Sequence, residues 1–178
     1  ARILTNGQSI SGDSLFYNRD LGYGKAIGHV EIIDTTQDII ITGHFGEYYE
    51  KEDIALVTKD AVLIDVYEDD SLFLHADTLR SGFDSTGTSK VLYAYHKVRF
   101  FKADLQGKCD SLIFSYADST IHLFKDPVLW SEKNQMTADF IIIKRNEGGI
   151  ESLDFQNNAF IVSKVDSTRY NQIKGKNM

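Results

Sequence analysis

Apolar and polar residues alternate along most of this chain in short bursts, and each burst ends in a cluster of turn formers. Ile10-Ser11-Gly12-Asp13-Ser14-Leu15-Phe16-Tyr17 is the first, closed by Asn18-Arg19-Asp20 and answered by Gly24-Lys25-Ala26-Ile27-Gly28-His29-Val30-Glu31-Ile32. A period of two over four to eight residues predicts a strand with one buried face. Further pairs follow: Ile39 to Tyr48 with Ile54 to Val66, Leu72 to Leu79 with Val91 to Lys102, and the stretch from Leu105 to Trp130. A fifth opens at Met136, turns at Asn146-Glu147-Gly148-Gly149 and returns through Ile150 to Val162. The turn from Ser81 to Lys90 is expected to be the longest, and no segment has helical periodicity.

Two columns recur about every thirty residues, the signature of a repeated unit with variable loops. Small residues stand at Gly12, Gly43, Ala76, Cys109, Ala138 and Gly175. Return strands carry Val30, Val62, Val98, Val128 and Phe160, and two positions on Ile32, Ile64, Phe100, Trp130 and Val162. The pattern predicts an all-β chain: antiparallel two-strand rungs stacked into one domain over residues 1–178, with incomplete rungs at 1–9 and 171–178, as in a piece of a longer chain. The columns place Leu15, Tyr17, Val30, Ile32, Ile41, Val62, Ile64, Leu74, Leu79, Val98, Phe100, Leu112, Phe114, Val128, Trp130, Met136, Ile141 and Val162 on the inward face.

Composition agrees with strands and removes some partners. The 178 residues are 42% hydrophobic, with nine Tyr, eleven Phe and a single Pro; aromatic residues suit the half-buried face of a sheet. A net charge of -7 argues against a nucleic-acid partner, which needs a basic stripe. One cysteine cannot form an internal disulfide, and no apolar run has the length of a membrane-spanning helix.

Candidate chemistry is thin. Asp13, Asp77, Asp110 and Asp139 follow the small-residue column, one per rung, and are read as solvent-facing or turn-stabilising rather than as a cation site. His29, His44, His75, His96 and His122 have no metal-ligand spacing, so no metal is expected. Cys109 reads as a small buried hydrophobe, and the glycine pairs Gly22/Gly24 and Gly148/Gly149 as turns. In Arg99-Phe100-Phe101-Lys102, Phe100 is expected in the core and the charges in solvent. An enzyme of the glycoside-cleaving kind would need convergent carboxylates, for which Asp118, Asp126 and Glu132 are the available set. No catalytic residue and no cofactor is expected.

The rung form, small-Asp-x-Leu-x-Tyr, a turn, then Ala-x-Gly-x-Val, resembles the OstA/LptA family of lipopolysaccharide-transport proteins, which includes the N-terminal domain of LptD. The matching segments are Gly12-Asp13-Ser14-Leu15-Phe16-Tyr17 with Ala26-Ile27-Gly28-His29-Val30, then Ala76-Asp77-Thr78-Leu79 and Cys109-Asp110-Ser111-Leu112. The closing segment from Asp166 to Gly175 is most similar to the large OstA-like proteins of Bacteroidetes. The resemblance implies a β-jellyroll, or β-taco, whose two sheets face each other across an apolar groove. It implies acyl chains of lipopolysaccharide or another lipid as ligand, edge-to-edge pairing with itself or other pathway proteins, and a periplasmic or outer-membrane-associated location. On that footing Leu15, Val30, Ile32, Ile41, Val62, Ile64, Leu74, Leu79, Val98, Phe100, Leu112, Phe114, Val128, Trp130 and Ile141 are the groove candidates. Phe100 and Trp130 are bulky enough to fill the trough, which leaves open a second reading: a scaffold that pairs through its exposed strand edges without carrying lipid.

Overall fold

The computed structural model describes residues 1–5, 8–35, 38–66, 71–146 and 149–178, apart from the side chains of Thr5 and Gln8. The expected turn residues Glu147 and Gly148 lie outside the described residues. The protein is all-β, and among the described residues the strands form a single 15-stranded sheet. They are β1 (Arg2–Thr5), β2 (Gln8–Ser11), β3 (Ser14–Asn18), β4 (Tyr23–Asp34), β5 (Ile39–Tyr49), β6 (Ile54–Asp65), β7 (Leu72–Phe83) and β8 (Lys90–Phe101). Then come β9 (Gln106–Ser115), β10 (Thr120–Phe124), β11 (Val128–Ser131), β12 (Asn134–Thr137), β13 (Phe140–Asn146), β14 (Gly149–Lys164) and β15 (Tyr170–Asn177). Neighbours are antiparallel throughout; from β4 to β10 each strand pairs with the one before it, while β3 pairs with β4, β11 with β9 and β12, and β13 with β10 and β14. The loop after β7 is shorter than expected, because β7 runs on to Phe83; Asp84 closes the turn by accepting the backbone N–H groups of Thr86 and Thr88 at 3.1 Å each.

Each long strand is creased near its middle. On every return strand two consecutive residues, the second always non-glycine, take left-handed φ: Gly28-His29, Lys59-Asp60, His96-Lys97, Lys125-Asp126 and Asn157-Asn158. Each pair sits where the ladder register shifts or the strand breaks. An inserted residue in one strand bends and twists it locally, and a left-handed residue with a Cβ costs about 1–2 kcal/mol unless the surroundings hold it. The aspartate column does the holding. Asp13, Asp110 and Asp139 donate their backbone N–H to the first residue of the opposing pair, at 2.8 Å to Gly28, 3.3 Å to Lys125 and 3.0 Å to Asn157. Their carboxylates meet residues of the pairs: Asp13 and His29 Nδ1 at 2.9 Å, Asp77 and Lys97 at 3.5 Å, Asp139 and Asn158 at 2.9 Å.

The small-residue column lies on the inside of this crease. Val30 pairs with Gly43, Ala61 with Ala76, Val98 with Cys109 and Ala159 with Gly175. Ala61, Ala76, Val98 and Ala159 have no exposed surface. Bulk is excluded here because the two halves of the sheet meet; a Cβ on Gly43 would stand 2.5 Å from Val57 Cγ1.

The crease divides the sheet into two walls. The first holds β1, β2, β11, β12 and residues 30–34, 39–42, 61–65, 72–75, 98–101 and 106–109 of β4 to β9; the second holds β3, β10, β13 and the other halves of those strands. Registered rows of apolar residues line the inside. On the first wall one row runs Ile10, Ile32, Ile41, Leu63, Leu74, Phe100, Gly107, Leu129, Met136, Ile161. On the second wall another runs Val57, Leu79, Ala94, Leu112, Leu123, Ile141, Phe155. The structure is therefore a folded sheet of the β-taco kind, with its core between the walls.

Part of the inward assignment is overturned. Leu63 is 4% exposed and Leu129 has no exposed surface, whereas Trp130 is 36% exposed. Strand alternation then puts Val62, Ile64, Val128, Trp130 and Val162 on the outer face. The left-handed pair shifts the phase by one residue, so the true companions of Val30 and Val98 are Ala61, Pro127 and Ala159, each the first residue after its pair. Tyr17 reaches the rim, where its hydroxyl donates to Glu50.

Candidate functional site

Away from the crease the walls separate and leave a cavity of about 480 Å³. The first wall supplies Ile39, Leu63, Leu72, Leu74 and Phe100, with Leu105 beyond it; the second supplies Leu92, Leu112, Phe114, Ile121 and Ile143. Among the described residues its polar side chains, Asp65, Lys102, Asp104, Tyr116, Arg145 and Asn146, belong to strand ends and loops. Lys102 Nζ lies 3.1 Å from Asp104 Oδ1. A smaller cavity of about 100 Å³ continues towards the β2 side, between Ile10, Ile32 and Ile41 on one wall and Tyr48, Ala55, Ser81 and Gly82 on the other. The two share Ile39, Leu63, Leu92 and Tyr116, so they are parts of one trough.

Phe100 holds its place because it faces a glycine across the ladder. Its ring covers Gly107, and a Cβ there would stand 2.3 Å from Phe100 Cζ and 2.9 Å from Leu129 Cδ2. The ring is 8% exposed and forms a side of the trough without filling it.

The sequence-predicted groove residues fall into distinct places. Leu74, Phe100, Leu112 and Phe114 line the larger cavity, and Ile32 and Ile41 the smaller. Val30, Leu79, Val98 and Ile141 are buried in the core between the walls and line neither. Leu15 is half-buried on the inner side of β3, opposite Ala26. Val62, Ile64, Val128 and Trp130 face outward. Sequence reasoning missed Leu63, Leu72, Leu92, Leu105 and Ile143. For Leu63 the one sequence clue was the recurrence of the Lys-Asp step at Lys59-Asp60 and Lys125-Asp126; Leu105 sits in a loop and carries no periodic signal.

The polar residues have structural work. The Asp110 carboxyl is held below its usual pKa, first by the Ser111 hydroxyl at 2.8 Å, with His96 and Lys125 adding to the effect. Burial pushes the Cys109 thiol up to about 12, which keeps it a thiol and a poor nucleophile. Asp118 accepts from Thr120 within the β9–β10 turn, Asp126 sits in a crease pair, and Glu132 occupies the β11–β12 turn. These three carboxylates therefore belong to three different turns. Among the described residues no group of three His, Cys, Asp or Glu side chains is placed to hold a metal ion. What the site can do chemically is bind apolar matter: it offers a long hydrocarbon surface, and its polar groups stand at the mouth.

No protein-family model matches the chain, and no curated protein matches it in sequence. Among solved structures, the chain is similar to LptH from Pseudomonas aeruginosa, described as the LptA-homologous periplasmic component of the conserved lipopolysaccharide transport device. The likeness covers 93% of each chain at 7% identity, with a TM-score of 0.33. A likeness of that degree assigns neither family nor activity.

Proposed function

We propose that this chain is a non-enzymatic module that holds lipid acyl chains between its two walls, and that it serves lipopolysaccharide transport or outer-membrane assembly in the periplasm. The observation that carries the lipid-binding part is the apolar cavity of about 480 Å³ between the walls, a size within the range of ligand sites. Each methylene moved from water into such a trough is worth roughly 0.8 kcal/mol. The pathway and the compartment rest on the resemblance of the rungs to the OstA/LptA pattern.

The test is titration with lipopolysaccharide of the wild type and of two neighbouring variants. Phe114→Glu puts a charge into the cavity, and Ile113→Glu puts the same charge on the opposite face of β9. Binding should fall at least tenfold for Phe114→Glu and hold for Ile113→Glu. Equal binding by both folded variants would remove the groove from the mechanism.

The exposed edges favour a second reading, a scaffold that associates strand to strand. Among the described residues β15 pairs with β14 alone, and it shows Tyr170 and Ile173 at 54% and 55% exposure. Unpaired strand edges recruit other strands. A chain that binds no lipid but associates with rising concentration would support this reading.

A further inference from the structure

The outer face of the first wall carries groups that the trough does not use. Ladder register and strand alternation set two rows side by side there. One row runs Ile40, Ile64, Phe73, Phe101 on neighbouring strands, and Trp130 follows across Gln106. Its rings are open to solvent: Phe73 is 44% exposed, Phe101 51% and Trp130 36%. The other row, nearer the crease, holds His75 on β7, Arg99 on β8 and Lys108 on β9, each directly opposite the next. Like charges placed opposite each other weaken a sheet, and little offsets them here. The crease lysines beside them are paired, Lys97 with Asp77 at 3.5 Å and Lys125 with Asp110 at 3.4 Å. His75 stands 3.9 Å from Asp60. Arg99 and Lys108 have no carboxylate partner among the described residues. Lys108 Nζ lies 5.9 Å from the centre of the Trp130 ring. A chain of net charge -7 thus keeps unpaired cations beside a line of exposed rings.

We propose that this face docks a partner protein whose contact patch sets carboxylates beside apolar side chains. The carboxylates answer Arg99 and Lys108, and the apolar groups cover Phe73, Phe101 and Trp130. Trp and Arg are the residue types that most often carry binding energy at such contacts. At about 4.8 Å per strand the patch is about 24 Å long from β5 to β11, and its two rows are roughly 14 Å across, so it covers roughly 340 Å². Exposed apolar patches of a few hundred Å² mark interaction sites, and this size belongs to small, reversible interfaces. An anionic bilayer fits less well. Recruitment to one takes clusters of about four to eight Lys and Arg, and here Asp104 and Glu132 stand at the rim beside Trp130. A second copy meeting this face about a two-fold axis would set the cations against each other. The proposal stands whether or not the trough holds lipid, and it concerns a sheet face rather than a strand edge.

The experiment places a photo-crosslinking side chain at Phe101, and as a control at the similarly exposed Phe16 on the outside of the second wall, in the full chain in its own cells. Phe101 should yield an adduct with one protein that Phe16 does not. That protein, purified and titrated, should bind the wild type, and binding should weaken with rising salt. Arg99→Glu with Lys108→Glu should lower affinity at least about tenfold, and exchange of the facing carboxylates for lysine on the partner should restore it. Arg99→Glu alone puts a carboxylate between His75 and Lys108, so it should raise the Tm of the free chain while weakening the complex. No adduct at Phe101, equal adducts at both positions, or a complex indifferent to the charge reversals overturns the proposal. Vesicles of phosphatidylethanolamine and phosphatidylglycerol should not recruit the chain; recruitment that the double variant loses overturns it in favour of a membrane.

Discussion

Gly107→Ala couples the fold to the groove and has a calculable outcome. The added methyl would stand 2.3 Å from Phe100 Cζ, 2.6 Å from Phe100 Cε1 and 2.9 Å from Leu129 Cδ2. Ordinary carbon contacts are about 3.5–4.0 Å, so the ring must move by about an ångström or more. Leu129 has no exposed surface and cannot yield, and the ladder fixes Gly107 opposite Phe100. The one open direction is into the trough. Overpacking of this kind costs about 1–3 kcal/mol, which lowers Tm by roughly 2–12 °C for a chain of this length. Phe100→Leu deletes the two nearest clashing atoms and leaves the 2.9 Å approach to Leu129 Cδ2. In that background Gly107→Ala should cost less, giving a coupling of at least about 1 kcal/mol in a double-mutant cycle read by denaturant unfolding. Equal losses from Gly107→Ala in both backgrounds would refute the packing argument.

Four more outcomes follow from the crease. Gly28 has φ +70°, and a Cβ there would stand 2.3 Å from Asp13 Oδ2; Gly28→Ala should cost about 1–2 kcal/mol, whereas Lys59→Asn, at φ 64°, should gain roughly 0.5–1 kcal/mol because Asn tolerates that region. Asp110 has a depressed folded pKa, so its stabilisation is full above the unfolded value near 4 and is lost as the pH falls through the folded value. Asp110→Asn should therefore be less stable than wild type at pH 7, with the gap closing under acid; a gap independent of pH would contradict this. Cys109, buried and pushed up to about 12, should resist alkylation at pH 8 in the native protein and react on unfolding, and prompt native labelling would contradict its placement.

The strands, their antiparallel neighbours and the small-residue column were legible because period-two alternation and residue size act locally. Gly12, Gly43, Ala76, Cys109, Ala138 and Gly175 stood out because a crease tolerates no bulk at those positions. The inward face was legible only in part. Val30 and Val98 follow their left-handed pairs directly, but Val62 and Val128 follow theirs by one residue more, behind Ala61 and Pro127. Since side chains alternate, that single step turned Val62, Ile64, Val128 and Trp130 outward and hid Leu63 and Leu129. The clue was present in the two matching steps Thr58-Lys59-Asp60-Ala61 and Phe124-Lys125-Asp126-Pro127. Lys-Asp is not a usual signal for left-handed backbone, so only its recurrence marks the crease. The groove itself depends on how far the walls separate, which no local pattern encodes.

The central claim is that lipid lies between the walls, and adjacent residues of β7 test it most directly. Leu74 is 4% exposed and lines the cavity, while Phe73 is 44% exposed on the outer face. A photo-crosslinking side chain at each position, with lipopolysaccharide present, should yield lipid adducts at Leu74 and few or none at Phe73. Adducts at Phe73 alone, or equal adducts at both in the folded protein, would contradict the account.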